Sequence, residues 1–389
     1  MPDQTLELEL RKFVAPEFVF GIGARELVGK YAANFNARKV LVVTDPGVIA
    51  AGWTADITKS LEDSGLPYTV FSGVTPNPKS AEVMVGSEVY QQEECNVIVS
   101  VGGGSVIDCA KGIGIVCNTR QDILLFEGVD RVKDLMPPLI CVPTTGGTSA
   151  DVSQFCIITN AAEQVKIAII SKAVVPDVSL IDPVVLTSMD AQLTAFTGLD
   201  ALVHAAEAFV SNASSPFTEL HALEAVRVIS RNLEDSMRNL NDVELRGKIM
   251  YASLEAGLAF SNASLGGVHA MAHSLGGYKD LPHGECNAML LRHVMDFNFN
   301  IASEKYERIG EAMGLDLRGM TRQGKKASIL KEVDRLSKAV GITETLAKKG
   351  IHNGDVRPLA EKAIKDPCMV TNPRRPNKRD IEVLYEEAL

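Results

Sequence analysis

Short apolar runs alternate with helical stretches over the first half of the chain. The runs are rich in β-branched residues and predict strands at 39–44, 68–73, 96–104, 139–145 and 178–183. Near-continuous apolar strands separated by helices are typical of a parallel sheet that helices cover on both faces. Two more runs, 155–160 and 166–171, can pair as a hairpin on the flank of this sheet. We therefore predict a mostly parallel, Rossmann-like α/β domain.

The strand signal stops after about residue 186, and helical patterns continue to the C-terminus. The predicted helices are 191–211, 215–238, 242–260, 266–277, 285–300, 303–313, 324–340, 355–364 and 378–388. This change near Asp182-Pro183 predicts an α/β domain over 1–185 and an all-α domain over 186–389. The alternating segment 5–14 (TLELELRKFV) predicts an edge strand that can pair across a dimer, so we expect a homodimer or a higher homo-oligomer.

Composition and charge narrow the possible partners. The formal net charge of −10 argues against nucleic acid or an anionic membrane surface as a partner. The N-terminal segment has neither the basic nor the apolar region of a secretory signal, and no apolar run reaches the roughly 18 residues that a membrane span needs. The seven cysteines are scattered without a CxxC pair, as expected for reduced thiols. We therefore expect a cytoplasmic enzyme.

A glycine-rich segment, VSVGGGSVIDCAK, runs from a predicted strand into a predicted helix. Gly102, Gly103 and Gly104 allow the backbone to approach a pyrophosphate, and the helix N-terminus offers amide donors. The segment is not GxGxxG, and a tight turn is the alternative reading. The later loop PTTGGTSADVS (143–153) carries hydroxyls that can contact phosphates or adenine, or that can simply belong to a polar loop.

Asp45 directly follows the first predicted strand. A carboxylate at a strand end can bind the adenosine ribose hydroxyls and repel a 2′-phosphate, which favours NAD over NADP. The alternative is a turn-initiating Asp before Pro46-Gly47.

Four residues of the second half are candidates for a divalent metal site. Asp200 and His204 lie four residues apart in a predicted helix and therefore share one face. His269 and His283 belong to a segment unusually rich in histidine. One carboxylate with neutral imidazoles suits Fe(II) or Zn(II) better than Mg²⁺ or Ca²⁺. An Asp-x-x-x-His pair alone is more often structural or solvated, but a metal beside a dinucleotide indicates metal-assisted hydride transfer.

These motifs together resemble the iron-containing (group III) alcohol dehydrogenases, in order and over essentially the whole chain. The resemblance depends on PNP at 76–78, GGGSVIDCAKGI, PTTGGTSADVS, TGLDALVHAAEA, VHAMAHSLGGYKDLPHGECNAMLLRHV and DPCMVTNPRR. The propanediol, lactaldehyde and methanol or butanol dehydrogenase members are the most similar. The resemblance implies a dehydroquinate synthase-like architecture, with a dinucleotide-binding N-terminal domain and a helical domain that holds the metal and substrate.

The resemblance also implies roles for individual residues. The metal ligands would be Asp200, His204, His269 and His283, and His273 would lie beside the metal, between nicotinamide and substrate, as the catalytic residue. Phe260 and Cys368 would line the substrate pocket. The cofactor would be bound by Asp45, Asn77, Gly102, Gly103, Gly104, Ser105, Thr144, Thr145, Ser149 and Lys166.

Two segments depart from the family pattern. The family usually has PTTAGTGSE where this chain has PTTGGTSAD, so its acid is Asp151. Glu285 and Cys286 replace the small or apolar residues of many relatives, close to the expected metal site.

The predicted reaction is the reversible oxidation of a primary alcohol to an aldehyde, with NAD and Fe(II), or Zn(II) in place of iron. One alternative is a zinc-dependent polyol dehydrogenase of the glycerol type, or a dehydroquinate synthase-like lyase. A second alternative, from a different class, is a non-catalytic nucleotide-binding metalloprotein.

Overall fold

A six-stranded parallel sheet forms the N-terminal half in the computed structural model, which describes residue 10 and residues 12–389. Its strands are β1 Glu17–Phe20, β2 Val40–Val43, β3 Tyr68–Phe71, β4 Val97–Gly102, β6 Leu139–Pro143 and β9 Val178–Ile181. Their order across the sheet is β1-β9-β6-β4-β2-β3. The five predicted strands of this sheet are confirmed, and β1 is an addition at its edge. Most of the predicted edge strand 5–14 lies outside the described residues.

The central strands β2, β4, β6 and β9 are buried along their whole length. They consist mainly of valine, isoleucine and leucine because helices cover both faces of the sheet. Parallel pairing, with Val42 opposite Val99 and Ser100 opposite Cys141, brings the carboxyl ends of the strands to one edge. The predicted hairpin is confirmed as β7 Phe155–Asn160 and β8 Val165–Ile170, which pair in antiparallel fashion. The short strand β5, Gly128–Val129, pairs with the other side of β8 and completes a second, three-stranded sheet.

Five helices in the described part of the chain cover the two faces of the main sheet. They are α1 Val28–Asn34, α2 Pro46–Ala50, α3 Trp53–Asp63, α4 Ser80–Gln92 and α5 Gly104–Thr119. Helices α4 and α5 contribute to one apolar core, while α1, α2 and α3 contribute to the core on the opposite face.

The C-terminal half of the described chain is helical, as predicted, and shares one large apolar core. Its helices are α6 Ala191–Val210, α7 Pro216–Arg238, α8 Val243–Ala263, α9 Gly267–Lys279, α10 His283–Asn298, α11 Ser303–Ala312, α12 Arg322–Ala339, α13 Asn353–Ala363 and α14 Lys378–Ala388. The predicted division between residues 185 and 186 falls within a 3₁₀ helix, Pro183–Ser188, and stays a prediction.

Helix α6 is central to this half and packs against α7, α8 and α10. Among the described helices it is the one that is long and apolar enough to cross a membrane, with a mean hydropathy of 1.2. However, 89% of that window is buried inside the protein, which is the environment of a core helix.

Candidate active site

A cleft runs along the carboxyl edge of the main sheet, between the sheet and the helices α6, α9 and α10. It has a volume of about 700 Å³ and opens onto a smaller cavity of about 110 Å³. Asn77, Gly104, Ser105, Asp200 and His283 line both spaces. The cleft and the cavity therefore meet where the predicted phosphate loop faces the predicted metal residues.

The glycine-rich segment forms the strand-to-helix turn that the sequence predicts. Strand β4 ends at Gly102, Gly103 is the N-cap of α5, and the helix begins at Gly104. A Cβ on Gly104 would lie 2.9 Å from Thr148, and one on Gly102 would lie 2.5 Å from Val106. Gly103, Gly104 and Ser105 line the cleft, so the open N-terminus of a 16-residue helix faces it.

The loop after β6 divides between the cleft and the protein interior. Thr144 and Thr145 line the cleft. Ser149 has a φ of 49°, and its hydroxyl turns away to donate to the Ser253 carbonyl at 2.5 Å. The preceding residue, Thr148, lines the cleft instead. Asp151 is buried, where it accepts a 2.6 Å hydrogen bond from Ser179.

Asp45 caps a helix and also lines the cleft, so both interpretations of its sequence context stay open. It caps helix α2 by accepting from the Val48 amide at 2.9 Å, as a turn-initiating Asp would. It also lies two residues after the end of β2 and lines the cleft.

Asn77 and Lys166 interact at the junction of the cleft and the cavity. The Lys166 ammonium donates to Asn77 Oδ1 at 2.7 Å, and Asn77 Nδ2 donates to Asp280 at 2.5 Å. Burial lowers the pKa of Lys166. Asn77 therefore connects the loop after β3 both to β8, through Lys166, and to the end of α9, through Asp280.

Three of the four predicted metal ligands converge. One donor atom from each of Asp200, His269 and His283 lies within 4.8 Å of the other two. His269 Nε2 and His283 Nε2 each lie 3.8 Å from Asp200 Oδ1. The three residues come from α6, α9 and α10, so the site forms only when these helices pack together.

His204 lines the same cavity but lies outside this converging group. Its ring stacks between Phe260, at 4.3 Å between centroids, and His269, at 4.5 Å. Its Nδ1 donates to the Gly147 carbonyl at 3.2 Å, which leaves Nε2 without the proton.

Carboxylates behind the cavity wall orient two further imidazoles. Glu207 Oε2 accepts from His269 Nδ1 at 2.7 Å, and Glu207 Oε1 accepts from the Val268 amide at the start of α9. Asp366 accepts from His273 Nδ1 at 2.8 Å. In each case the bond holds the proton on Nδ1 and leaves Nε2 as the acceptor atom.

Burial favours the neutral form of three histidines of the cavity. It lowers the pKa of His204, and it lowers the pKa of His269 and of His283 well below the usual value. These rings are therefore neutral near pH 7, the form that binds a metal. A buried carboxylate with neutral imidazoles fits Fe(II) or Zn(II).

The two predicted substrate-pocket residues differ in position. Phe260 lines the cavity, together with Phe155, Leu265 and Asp108. Cys368 is fully buried, and its amide donates to Asp366 at 2.8 Å. The cysteine thus lies behind the cavity wall rather than on it.

Comparisons with known proteins identify the family. The model for "Iron-containing alcohol dehydrogenase" matches residues 15–183, and the model for "Fe-containing alcohol dehydrogenase family, C-terminal" matches residues 194–389. The chain belongs to the iron-containing alcohol dehydrogenase family. The family, the fold class and the prediction of an oxidoreductase acting on alcohols are thereby confirmed. The comparisons do not support a zinc-dependent polyol dehydrogenase.

Relatives of known name match this chain over nearly its whole length. The 1,3-propanediol dehydrogenase of Klebsiella pneumoniae is 39% identical over 371 residues, which cover 95% of this chain and 96% of the relative. The NAD-dependent methanol dehydrogenase of Bacillus methanolicus is 34% identical over 377 residues, 97% of this chain and 99% of the relative. The structure of an alcohol dehydrogenase from Oenococcus oeni, 35% identical, superposes with a TM-score of 0.94 over 98% of this chain and 100% of the other.

Several site residues were missed by sequence reasoning. Glu207 lies seven residues after Asp200, and Asn287 lies four residues after His283, so helical spacing could have found both. Asp366 gave no such signal, because it meets His273 across 93 positions of sequence. Glu285, which departs from the family pattern, forms an ion pair with Lys349 at 2.7 Å.

Proposed function

We propose that this enzyme interconverts short primary alcohols and aldehydes with NAD and one divalent metal, Fe(II) or alternatively Zn(II). One observation carries the proposal. The converging Asp200, His269 and His283 lie where a small apolar cavity meets a cleft faced by the open N-terminus of α5. A metal, a substrate and a dinucleotide would therefore meet at one point.

Asp200, His269 and His283 would hold the metal, with His204 as the fourth ligand. His204 presents an unprotonated Nε2 in the same cavity, because its Nδ1 donates to Gly147. The metal and NAD would supply, when bound, a Lewis acid for the alcohol oxygen and an acceptor for the hydride.

The cleft would bind NAD with its pyrophosphate at the glycine-rich turn. Gly103, Gly104 and Ser105 offer backbone donors and the positive end of the α5 dipole to an anion. Asp45 would bind the ribose hydroxyls and disfavour NADP. The Bacillus methanolicus relative is an NAD-dependent methanol dehydrogenase, which agrees with this choice.

The small cavity would select the substrate by size. Its volume of about 110 Å³ and its walls of Phe155, Phe260 and Leu265 favour a short chain of a few carbons. His273 lies on the wall with Nε2 free, since Asp366 holds the Nδ1 proton, so Nε2 is the atom that can take the hydroxyl proton.

A metal-replete activity screen tests the proposal. The purified enzyme is loaded with Fe(II) or Zn(II) and assayed by NADH absorbance with linear alcohols and aldehydes of one to six carbons. We expect turnover with short members, a decline with chain length and a preference for NAD. Bound metal without turnover on any of them would favour the non-catalytic nucleotide-binding alternative.

Two further expectations accompany this function. We propose that the enzyme acts in the cytoplasm and assembles as a homodimer or higher homo-oligomer. Cell fractionation and light scattering of the purified protein test these two points, and a monomer at micromolar concentration would contradict the second.

A further inference from the structure

Asn287 lies among the atoms that the proposed function assigns to the metal. It is fully buried on α10, one turn after His283. Its side-chain nitrogen lies 2.5 Å from Asp200 Oδ1 and 3.2 Å from the Nε2 atoms of both His269 and His283. A single amide therefore touches all three converging residues.

Chemistry determines which way this amide faces. The three neighbouring atoms are a carboxylate oxygen and two imidazole nitrogens, and each can accept a hydrogen bond. An amide oxygen in the same place would be repelled by the carboxylate, so the NH₂ group must face the three atoms. The bond to Asp200 is the strongest of the three contacts, because its acceptor is charged.

The remaining atom of the amide adds a second observation. Asn287 Oδ1 is buried and has no hydrogen-bond partner among the described residues. An unpaired buried oxygen destabilises the folded protein, and an apolar side chain of similar size would avoid this cost. Packing therefore does not explain an asparagine at this position, whereas the contacts of its nitrogen do.

We propose that Asn287 is a positioning residue of the metal site, one that holds the Asp200 carboxylate in register with the imidazoles of His269 and His283. The proposal rests on the ligand assignment of the proposed function. The bond to Asp200 can persist beside a bound cation, because a carboxylate oxygen has more than one lone pair. Each imidazole Nε2 has only one lone pair, so its contact with the amide must give way.

The test measures metal affinity rather than activity. Asn287→Ala and the parent are stripped with a chelator, and their Kd values for Zn²⁺ and Co²⁺ are measured against a chromophoric chelator. The visible spectrum of the Co²⁺ form reports the ligand geometry. Loss of an outer partner of a metal ligand typically weakens binding by 10–100-fold, and we expect a change of that size with an altered Co²⁺ spectrum.

Asn298 provides a matched control on the same helix. It is also a buried asparagine, and it exchanges hydrogen bonds of 2.8 and 2.9 Å with Asn372. Asn298→Ala should lower the melting temperature, as Asn287→Ala should, but leave the metal Kd within twofold of the parent. An unchanged Kd and Co²⁺ spectrum in Asn287→Ala would make Asn287 a packing residue and overturn the proposal.

Asn287→Asp keeps the test valid if Asn287→Ala does not fold. It is nearly isosteric but places a second carboxylate beside Asp200. We expect a lower melting temperature in the stripped form and a larger rise on metal addition than in the parent. Behaviour like the parent in both measurements would refute the positioning role. His283→Ala distinguishes failure of the positioning role from failure of the ligand assignment. A parent-like Kd for the metal in that variant would contradict the ligand assignment itself.

Discussion

Asp366 accepts a hydrogen bond from His273 Nδ1 at 2.8 Å, and this bond determines which ring nitrogen faces the cavity. The two residues lie 93 positions apart, on the 3₁₀ segment after α13 and on α9. Burial opposes ionisation of Asp366, but the interaction with His273 and the hydrogen bond from the Cys368 amide lower the pKa of the carboxyl below its usual value. Asp366 is therefore an anion near neutral pH, and it holds the imidazole in one orientation.

We expect Asp366→Asn to lower kcat by about 10–100-fold, the usual effect of removing a partner that orients a functional histidine. Metal content, measured by elemental analysis, should not change. His273→Ala should lower kcat further, by about 10²–10⁴-fold, because it removes the proton-transfer group itself. Asp355→Asn is the control, since that carboxylate lies on nearby α13 and accepts a hydrogen bond from the Tyr278 hydroxyl of α9. A kcat within twofold of the parent in Asp366→Asn would exclude the orienting role.

The periodicity of apolar residues was sufficient for most of the fold. Strands buried on both faces gave continuous apolar runs, and the strand-glycine-helix sequence at Gly102 gave the turn. Strand β1, EFVF, was missed because it is not part of a continuous buried apolar run: both Phe18 and Phe20 are substantially exposed. An edge strand of this kind lacks the pattern that identifies a central one.

The site was less predictable where backbone conformation or tertiary contacts determine which side chains reach the cleft. The left-handed backbone at Ser149 turns its hydroxyl toward Ser253 and leaves Thr148 on the cleft. Neither effect has a periodic signal. Cys368 lies close to the cavity, but its short side chain is buried behind the wall. The candidate metal residues had a clearer sequence signal, because histidines are rare in this chain and four of the seven lie within residues 269–293.

Asp151, the acid that departs from the family pattern, should make stability depend on pH. Burial raises its pKa above the usual 3.8, although the Ser179 hydroxyl opposes the shift. As pH rises above 3.8 the unfolded chain releases this proton before the folded protein does. The free energy of unfolding should therefore fall as pH rises through the folded pKa. Asp151→Asn should remove the contribution of this carboxyl to the decrease in the free energy of unfolding.

Urea unfolding of parent and Asp151→Asn at pH 4.5 and pH 7.5 measures this difference. The variant should gain stability relative to the parent at the higher pH. Ser179→Ala should have the opposite effect, because it removes the hydrogen bond that favours the charged form. An equal pH dependence in all three proteins would contradict the assignment.

Asp45→Asn tests the cofactor preference without removing the helix cap. Asparagine caps a helix as well as aspartate does, so the bond to the Val48 amide should be kept while the charge is lost. We expect the ratio of kcat/KM for NAD over NADP to fall by about 10-fold or more, equivalent to about 1.4 kcal/mol. The melting temperature should stay close to that of the parent. An unchanged ratio would leave Asp45 with its capping role alone.

His283→Ala should remove the metal and the activity together while the fold remains. His283 begins α10 and faces the cleft, so its side chain is the most accessible of the converging three, at 26% exposure. Its Nδ1 has no hydrogen-bond partner among the described residues, and its Nε2 contacts the Asn287 amide at 3.2 Å, so besides the metal contact the truncation removes a single hydrogen bond. His269→Ala should cost more stability, because it also leaves buried Glu207 without its imidazole partner.

His221 offers the control for this pair, since it is a part-exposed histidine bonded to Glu255 at 2.6 Å on α7 and α8. His221→Ala should keep metal and turnover at the parent level. Elemental analysis, NADH assays and thermal unfolding of the three variants then separate ligand loss from general damage. A His283→Ala protein that keeps stoichiometric metal and full turnover would show that Asp200, His204 and His269 bind the metal without it, and the site would have to be reassigned.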